Sequence, residues 1–188
     1  MIYGFRGLVE QVKEDYIILK TTNVYLKIYV IYPFSYIKNK DYTIYTKTFI
    51  NENKAVLYGF KTLIERELFA FLISVKGIGP KTALKIMSYA PSNVVIDSLK
   101  KNNINFFRRI KISERKIEAI FEDYQKLKPN KINQEEVCLG DIYTTLLELG
   151  YAKEKLYFYF LKNEFSLNLP FNHLLNVTLK NIPKSSYK

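Results

Sequence analysis

Near residue 60 the hydrophobic pattern of this chain changes period, and one type of secondary structure cannot accommodate both halves. Before that point apolar and polar side chains alternate in short runs: Leu8-Val9-Glu10-Gln11-Val12, Tyr16-Ile17-Ile18-Leu19-Lys20, Val24 to Val30, and Tyr42 to Thr48. Lys13-Glu14-Asp15 and Thr21-Thr22-Asn23 separate them as turns. Five or six strands in about 60 residues predict a small closed barrel, and the OB-fold is the common barrel of that size among nucleic-acid binders. Asn51-Glu52-Asn53-Lys54 predicts a β-hairpin tip. From Leu63 the apolar spacing turns helical (Leu63, Ile64, Leu68, Phe69, Leu72, Ile73), and further helical patterns cover 80–88, 92–101, 103–109 and 113–127. Lys128 to Glu135 is polar and carries Pro129, as a linker does, and three amphipathic helices are expected near 137–148, 152–163 and 171–181. The fold class expected is therefore multidomain α+β: a barrel over 1–62, a helical domain over 63–129, a flexible linker over 130–137 and a three-helix domain over 138–188.

Within the helical part, Val75-Lys76-Gly77-Ile78-Gly79-Pro80-Lys81 joins two helices through a Gly-Ile-Gly turn. Two glycines allow a tight reversal that leaves backbone N–H groups at a helix N-terminus, where an anion is favoured. Pro80 suits the first helical turn because its missing N–H is not needed there. Lys81 adds a cation, and Ala83 permits close helix approach. This is the pattern of a helix-hairpin-helix, which holds a DNA phosphate without reading a base; a helix C-cap followed by a packed turn explains Gly-x-Gly equally well.

Charge favours the first of these. The chain carries 29 Lys and Arg against 18 Asp and Glu, a formal +11. The excess is concentrated over 63–130, with 13 basic and 7 acidic residues, whereas 131–188 holds 7 and 6. Residues 76–116 alone hold ten cations (among them Lys76, Lys81, Lys85, Arg108, Arg109, Lys111, Arg115 and Lys116) against Asp97 and Glu114. Such a basic region around a phosphate-binding turn is a polyanion footprint. Shifting the chain by 34 residues lays Lys111-Ile112-Ser113-Glu114-Arg115-Lys116 over Gly77-Ile78-Gly79-Pro80-Lys81-Thr82, a second hairpin that has lost both glycines.

Catalytic chemistry is poorly provided for. His173 is the sole histidine and Cys138 the sole cysteine, so His-based triads, Cys/His zinc clusters and an internal disulfide are excluded within one chain. There is no P-loop, and the pairs Glu14-Asp15, Glu122-Asp123 and Glu135-Glu136 lie on polar stretches. No cofactor or metal is expected. One enzymatic alternative remains: a helix-hairpin-helix DNA glycosylase using Asp97, which falls 18 residues beyond Gly79 but inside a helix that Ser92 is expected to N-cap. A general single-strand-binding OB protein is another. No apolar run reaches membrane-span length and the N-terminus is not a signal peptide, so a cytoplasmic location is expected. Toward the C-terminus, Leu149-Gly150-Tyr151 predicts a helix end with Gly150 as left-handed cap, and Tyr157-Phe158-Tyr159-Phe160 suits either a core or a protein partner.

Taken in order, Met1-Ile2-Tyr3-Gly4-Phe5-Arg6-Gly7, Leu57-Tyr58-Gly59-Phe60 with Glu65-Arg66-Glu67-Leu68-Phe69, Val75 to Lys81, and Leu149-Gly150-Tyr151 resemble the RuvA family over essentially the whole chain. That family supplies the DNA-binding subunit of bacterial Holliday junction branch-migration complexes. The resemblance implies an OB-fold, a domain with two helix-hairpin-helix motifs, a flexible linker and a three-helix, UBA-like domain. It implies a non-catalytic subunit for recombination, DNA repair and the SOS response, assembled as a homotetramer or, on DNA, an octamer. The expected partners are a four-way junction bound without sequence preference, the hexameric ATPase RuvB and the nuclease RuvC. DNA contacts then map to Gly77, Ile78, Gly79, Lys81, Lys111, Arg115 and Lys116, and partner contacts to Leu149, Gly150 and Tyr151. The family's acidic pin maps to Glu52 and Asn53, where half the negative charge is gone, and the family's second Gly-Ile-Gly-Lys-Lys hairpin is Lys111-Ile112-Ser113-Glu114-Arg115 here.

Overall fold

A computed structural model describes residues 2–52, 54–127, 138–163, 165 and 170–182. Asn53 and the expected linker over 130–137 lie outside the described residues. The chain divides into two compact units, one of residues 1–74 with 79–84 and one of residues 75–78 with 85–188.

In the first unit, β1 (Gly4–Val12), β2 (Tyr16–Lys20), β3 (Tyr25–Val30), β4 (Asp41–Asn51) and β5 (Lys54–Phe60) close into a barrel in the order β1-β2-β3-β5-β4. All neighbours are antiparallel except β3 and β5, which pair in parallel through Tyr29↔Tyr58 and Val30↔Gly59. Every second residue points inward: Val9, Ile17, Leu19, Ile28 and Ile44 are fully buried and form the core with Val30 and Tyr36. Gly59 faces that core, where a Cβ would stand 2.4 Å from Ile28 Cγ2, so no larger residue fits between the strands. A 3-10 turn over Pro33–Ser35 links β3 to β4. The outer wall carries a row of tyrosines, Tyr16, Tyr29 and Tyr58, whose ring centroids are 5.9 and 6.0 Å apart, with Lys27 Nζ 4.0 Å from the Tyr16 centroid.

Two residues separate β5 from helix α1 (Leu63–Ser74). A capping box starts the helix: Thr62 Oγ1 accepts the Glu65 N–H, and Glu65 Oε2 accepts the N–H groups of Lys61 and Thr62 at 3.0 and 3.1 Å. Burial pushes the Glu65 carboxyl above the usual carboxylate range, opposed by those same bonds. Phe69 packs against Tyr58 and Phe60, each at 5.0 Å between centroids. Arg66, 5% exposed, donates from Nε to the Thr46 carbonyl, lies over the Tyr3 ring and pairs with Glu67.

Helix α2 (Pro80–Tyr89) follows. The second unit contains α3 (Ser92–Lys100), α4 (Ile104–Arg109), α5 (Glu114–Leu127), α6 (Leu139–Glu148), α7 (Lys153–Lys162) and α8 (Phe171–Asn181). Its core is an aromatic chain running Phe121, Phe107, Phe106, Tyr89, Tyr143, Phe160, Phe165, each centroid 4.7 to 6.2 Å from the next. The helices fall within a residue or two of the sequence pattern. One cap differs: Pro91 takes the N-cap of α3 and Ser92 is its first residue, its buried hydroxyl making no hydrogen bond. Pro91 already supplies the extended backbone that enters the helix, so a side-chain cap from Ser92 is not formed.

Candidate nucleic-acid interface

The expected phosphate site begins where α1 ends. Gly77 has φ +85°, a left-handed value that an L side chain rarely adopts, so glycine is required there by the backbone. The Ile78 N–H bonds back to the Val75 carbonyl at 3.0 Å, and both side chains are buried, which anchors the turn from below. Gly79 is different: its φ is not positive, and a Cβ there would meet no atom within 4 Å. Its carbonyl accepts the Ala83 N–H at 3.0 Å, so Gly79 opens α2, and its open surroundings leave the helix mouth accessible. Lys76 and Lys81 are exposed.

The second hairpin, between α4 and α5, keeps this backbone with other residues. Lys111, 34 positions after Gly77, has φ +57°. The Ser113 carbonyl accepts the Ile117 N–H at 3.2 Å as Gly79 does for Ala83. The left-handed geometry therefore survives the loss of glycine, at a cost of about 1–2 kcal/mol for a residue bearing a Cβ. Lys85 Nζ donates to the Lys111 carbonyl at 2.6 Å, tying α2 to the second turn. Glu114, the first residue of α5, sits at the positive end of the helix dipole and pairs with Arg108 at 2.9 Å, so the mouth of this second helix already holds a carboxylate. Arg115 is exposed and Lys116 half-buried.

Several cations in this basic stretch serve the fold. Lys101 pairs with Asp97 at 3.2 Å with both side chains nearly covered, Arg108 pairs with Glu114, and Arg109 pairs with Glu148. Lys76, Lys81, Lys100, Lys111 and Arg115 stay exposed, in or near the two turns except Lys100 at the end of α3.

Glu52 is exposed at the β4–β5 tip, which Asn51 Oδ1 fixes by accepting the Lys54 N–H at 2.9 Å. Of the expected pin only Glu52 is described. At the end of α6, Gly150 has φ +91°, its N–H bonds to Leu147 O, and the Tyr151 N–H bonds to Leu146 O, a left-handed helix stop. Tyr151 is 4% exposed and Leu149 53%, so the first packs and the second faces outward.

Asp97, the glycosylase candidate, is 7% exposed; it accepts the Leu139 N–H at 2.7 Å and pairs with Lys101. Both oxygens are thus engaged inside the helical core, and no cleft gives a substrate access to them. Sequence pattern placed Asp97 on a helix but gave no sign of this long-range bond; Gly140, small enough to let the two helices meet, was the available signal. Among the described residues no three His, Cys, Asp or Glu side chains cluster as metal ligands, and no helix is long and apolar enough to cross a membrane.

Comparison with known proteins adds to this geometry. A family model described as RuvA N terminal domain matches residues 1–59. The Holliday junction branch migration complex subunit RuvA of Ehrlichia chaffeensis is 30% identical over 192 residues, covering 99% of this chain and 100% of the relative. The protein of the same name from Anoxybacillus flavithermus is 31% identical over 170 residues, covering 83% and 86%. That from a Geobacillus species is 35% identical over 108 residues, covering 56% of this chain and 54% of the relative.

Proposed function

Because this chain belongs to the RuvA family, we propose that it is the junction-binding subunit of a Holliday junction branch migration complex, holding four-way DNA while a separate ATPase drives movement. The observation that carries this beyond family membership is the repeated turn: Gly77 and Lys111 adopt the same left-handed backbone 34 residues apart, each before a helix N-terminus beside exposed cations. Two such turns suit two phosphates. In the first, the N–H groups at the start of α2 and Lys81 take one phosphate; in the second, Arg115, Lys116 and Lys111 take another while Glu114 opposes it. Contacts of this kind go to backbone oxygens, so binding carries no sequence preference.

Glu52 at the β4–β5 tip acts by repulsion, keeping phosphates from the crossover with the charge of one carboxylate instead of two. Four copies of the chain surround the junction, or eight in two layers. The subunit performs no chemistry itself. Residues 138–188, with 6 basic and 5 acidic side chains beyond the linker and an outward Leu149, serve the RuvB ATPase rather than DNA, and RuvC is a further partner at the same junction.

A gel shift comparing a four-way junction, a duplex and a single strand over a range of salt tests this. The junction is expected to bind tightest, with log K falling by about 0.9 per log unit of salt for each phosphate neutralised. Tightest binding to the single strand would overturn it.

A further inference from the structure

Helix α3 and the chain following it present a set of polar groups whose partners lie some forty residues away, in α6 and α7. Asp97 accepts the Leu139 N–H and so caps the N-terminus of α6 from another helix. Asn103 Nδ2 donates to Asp141 Oδ1 at 2.7 Å and approaches Cys138 Sγ at 3.4 Å. Asn93 Nδ2 donates to the Phe160 carbonyl at 2.8 Å, and Tyr143 Oη to the Tyr89 carbonyl at 3.0 Å. Gly140 meets α3 so closely that a Cβ would stand 2.2 Å from Ser98 Oγ and 3.0 Å from the Phe106 ring. The cap of α6 and the absence of a side chain at 140 are therefore explained by α3, and not by the three-helix segment itself.

We propose that the α3–α4 face is a docking surface whose occupant is this chain's own residues 138–163, latched by Asp97, and that the docked segment must release before it can engage the ATPase partner. The second half rests on the function proposed above. Two features fit a contact that opens. Its hydrogen bonds join groups that water can satisfy, so opening exchanges bonds without stranding donors. Docking also covers Leu139, Ile142, Tyr143, Leu146 and Phe160, all at 5% exposure or less, which are the apolar face of α6 and α7. A partner seeking an apolar surface on these two helices finds it only in the released form, and its apparent affinity is reduced by the fraction of chain that is docked.

Cys138 makes the equilibrium measurable. It is the chain's single cysteine, 7% exposed at the docked contact, and burial raises its thiol pKa, which keeps it protonated and unreactive. N-ethylmaleimide labelling of the full-length protein therefore reports release. Asp97→Ala removes the latch from the α3 side. Gly140→Ala blocks the contact from the α6 side, with a residue that favours helix and so leaves α6 intact. Each is expected to speed Cys138 alkylation about tenfold, the change produced when the docked fraction falls by a decade in equilibrium constant, and to tighten binding of purified RuvB several-fold. Unchanged alkylation in both variants, with circular dichroism like that of the parent, would overturn the latch. Faster alkylation with RuvB affinity unaltered would overturn the competition. If RuvB binds neither parent nor variants, the proposed function has failed and the alkylation rates still decide the latch.

Discussion

The two hairpins have one backbone and two chemistries. In the first, glycine supplies the left-handed residue at no steric cost, and an unobstructed Gly79 leaves the helix mouth open. In the second, Lys111 is forced into the same conformation and Glu114 occupies the helix mouth through its pair with Arg108. The surrounding packing is what keeps the second turn in shape: Ile110 and Ile117 are buried beneath it, and Lys85 holds the Lys111 carbonyl. Turn geometry can thus outlast the residues that favour it, whereas phosphate affinity depends on which groups stand at the opening.

The largest effect is expected from Gly79→Val. That position has neither positive φ nor close neighbours, so stability should hardly change, while a branched side chain stands at the helix mouth. Junction affinity should fall tenfold or more, about 1.4 kcal/mol, in a gel shift with thermal melting as control. An unchanged affinity would show that the first turn does not face DNA.

Next is Glu114→Lys, which gives the second turn the charge it lacks. The lost surface pair with Arg108 costs at most about 1 kcal/mol of stability. Junction binding should tighten and its salt slope steepen by about one unit. A flat response would mean that only the first hairpin contacts phosphate.

Exchanging the left-handed residues is a smaller and purely conformational test. Lys111→Gly should stabilise the fold by about 1 kcal/mol and Gly77→Lys destabilise it by a similar amount, both read from denaturant midpoints. Equal and opposite shifts would show that the two turns are the same structure.

The smallest effect concerns the helices that lead into the turns. α1 starts with the buried Glu65 box, whereas α4 is capped by the Asn103 side chain accepting the Phe106 N–H. Since the Glu65 pKa is raised on folding, the native state holds its proton to higher pH than the unfolded chain does. Stability should therefore decline as pH rises from the usual carboxylate range through the raised value. Glu65→Gln should flatten that part of the pH–stability curve; an identical slope in the variant would assign it to other groups.

Much of this was legible from residue order. The period of two before residue 60 and of three to four after it locates all five strands and every described helix to within about two residues. Local rules also found Gly77, Gly150 and the second hairpin's offset, because turn chemistry is written in neighbouring residues. What they missed depends on contacts distant in sequence. Asp97 looks like any helical aspartate until Leu139 is placed beside it, and Lys111 shows no left-handed preference of its own. Ser92 was assigned a capping role that Pro91 fills, since both residues suit a helix start and only the backbone distinguishes them.

The short connection between barrel and first hairpin has a mechanical consequence. Only Lys61 and Thr62 separate β5 from α1, and both are hydrogen-bonded to Glu65, so no slack exists between strand and helix. Arg66 rivets the first turn of α1 to the carbonyl of Thr46 on β4, and Phe69 seats the next turn on Tyr58 and Phe60. Tension applied at the end of α1 runs into the two strands whose far end carries Glu52, with no hinge on the way to absorb it. A chain built like this acts under load as a stiff bracket, in which a pull on the DNA backbone at one end is felt as displacement of the hairpin tip at the other.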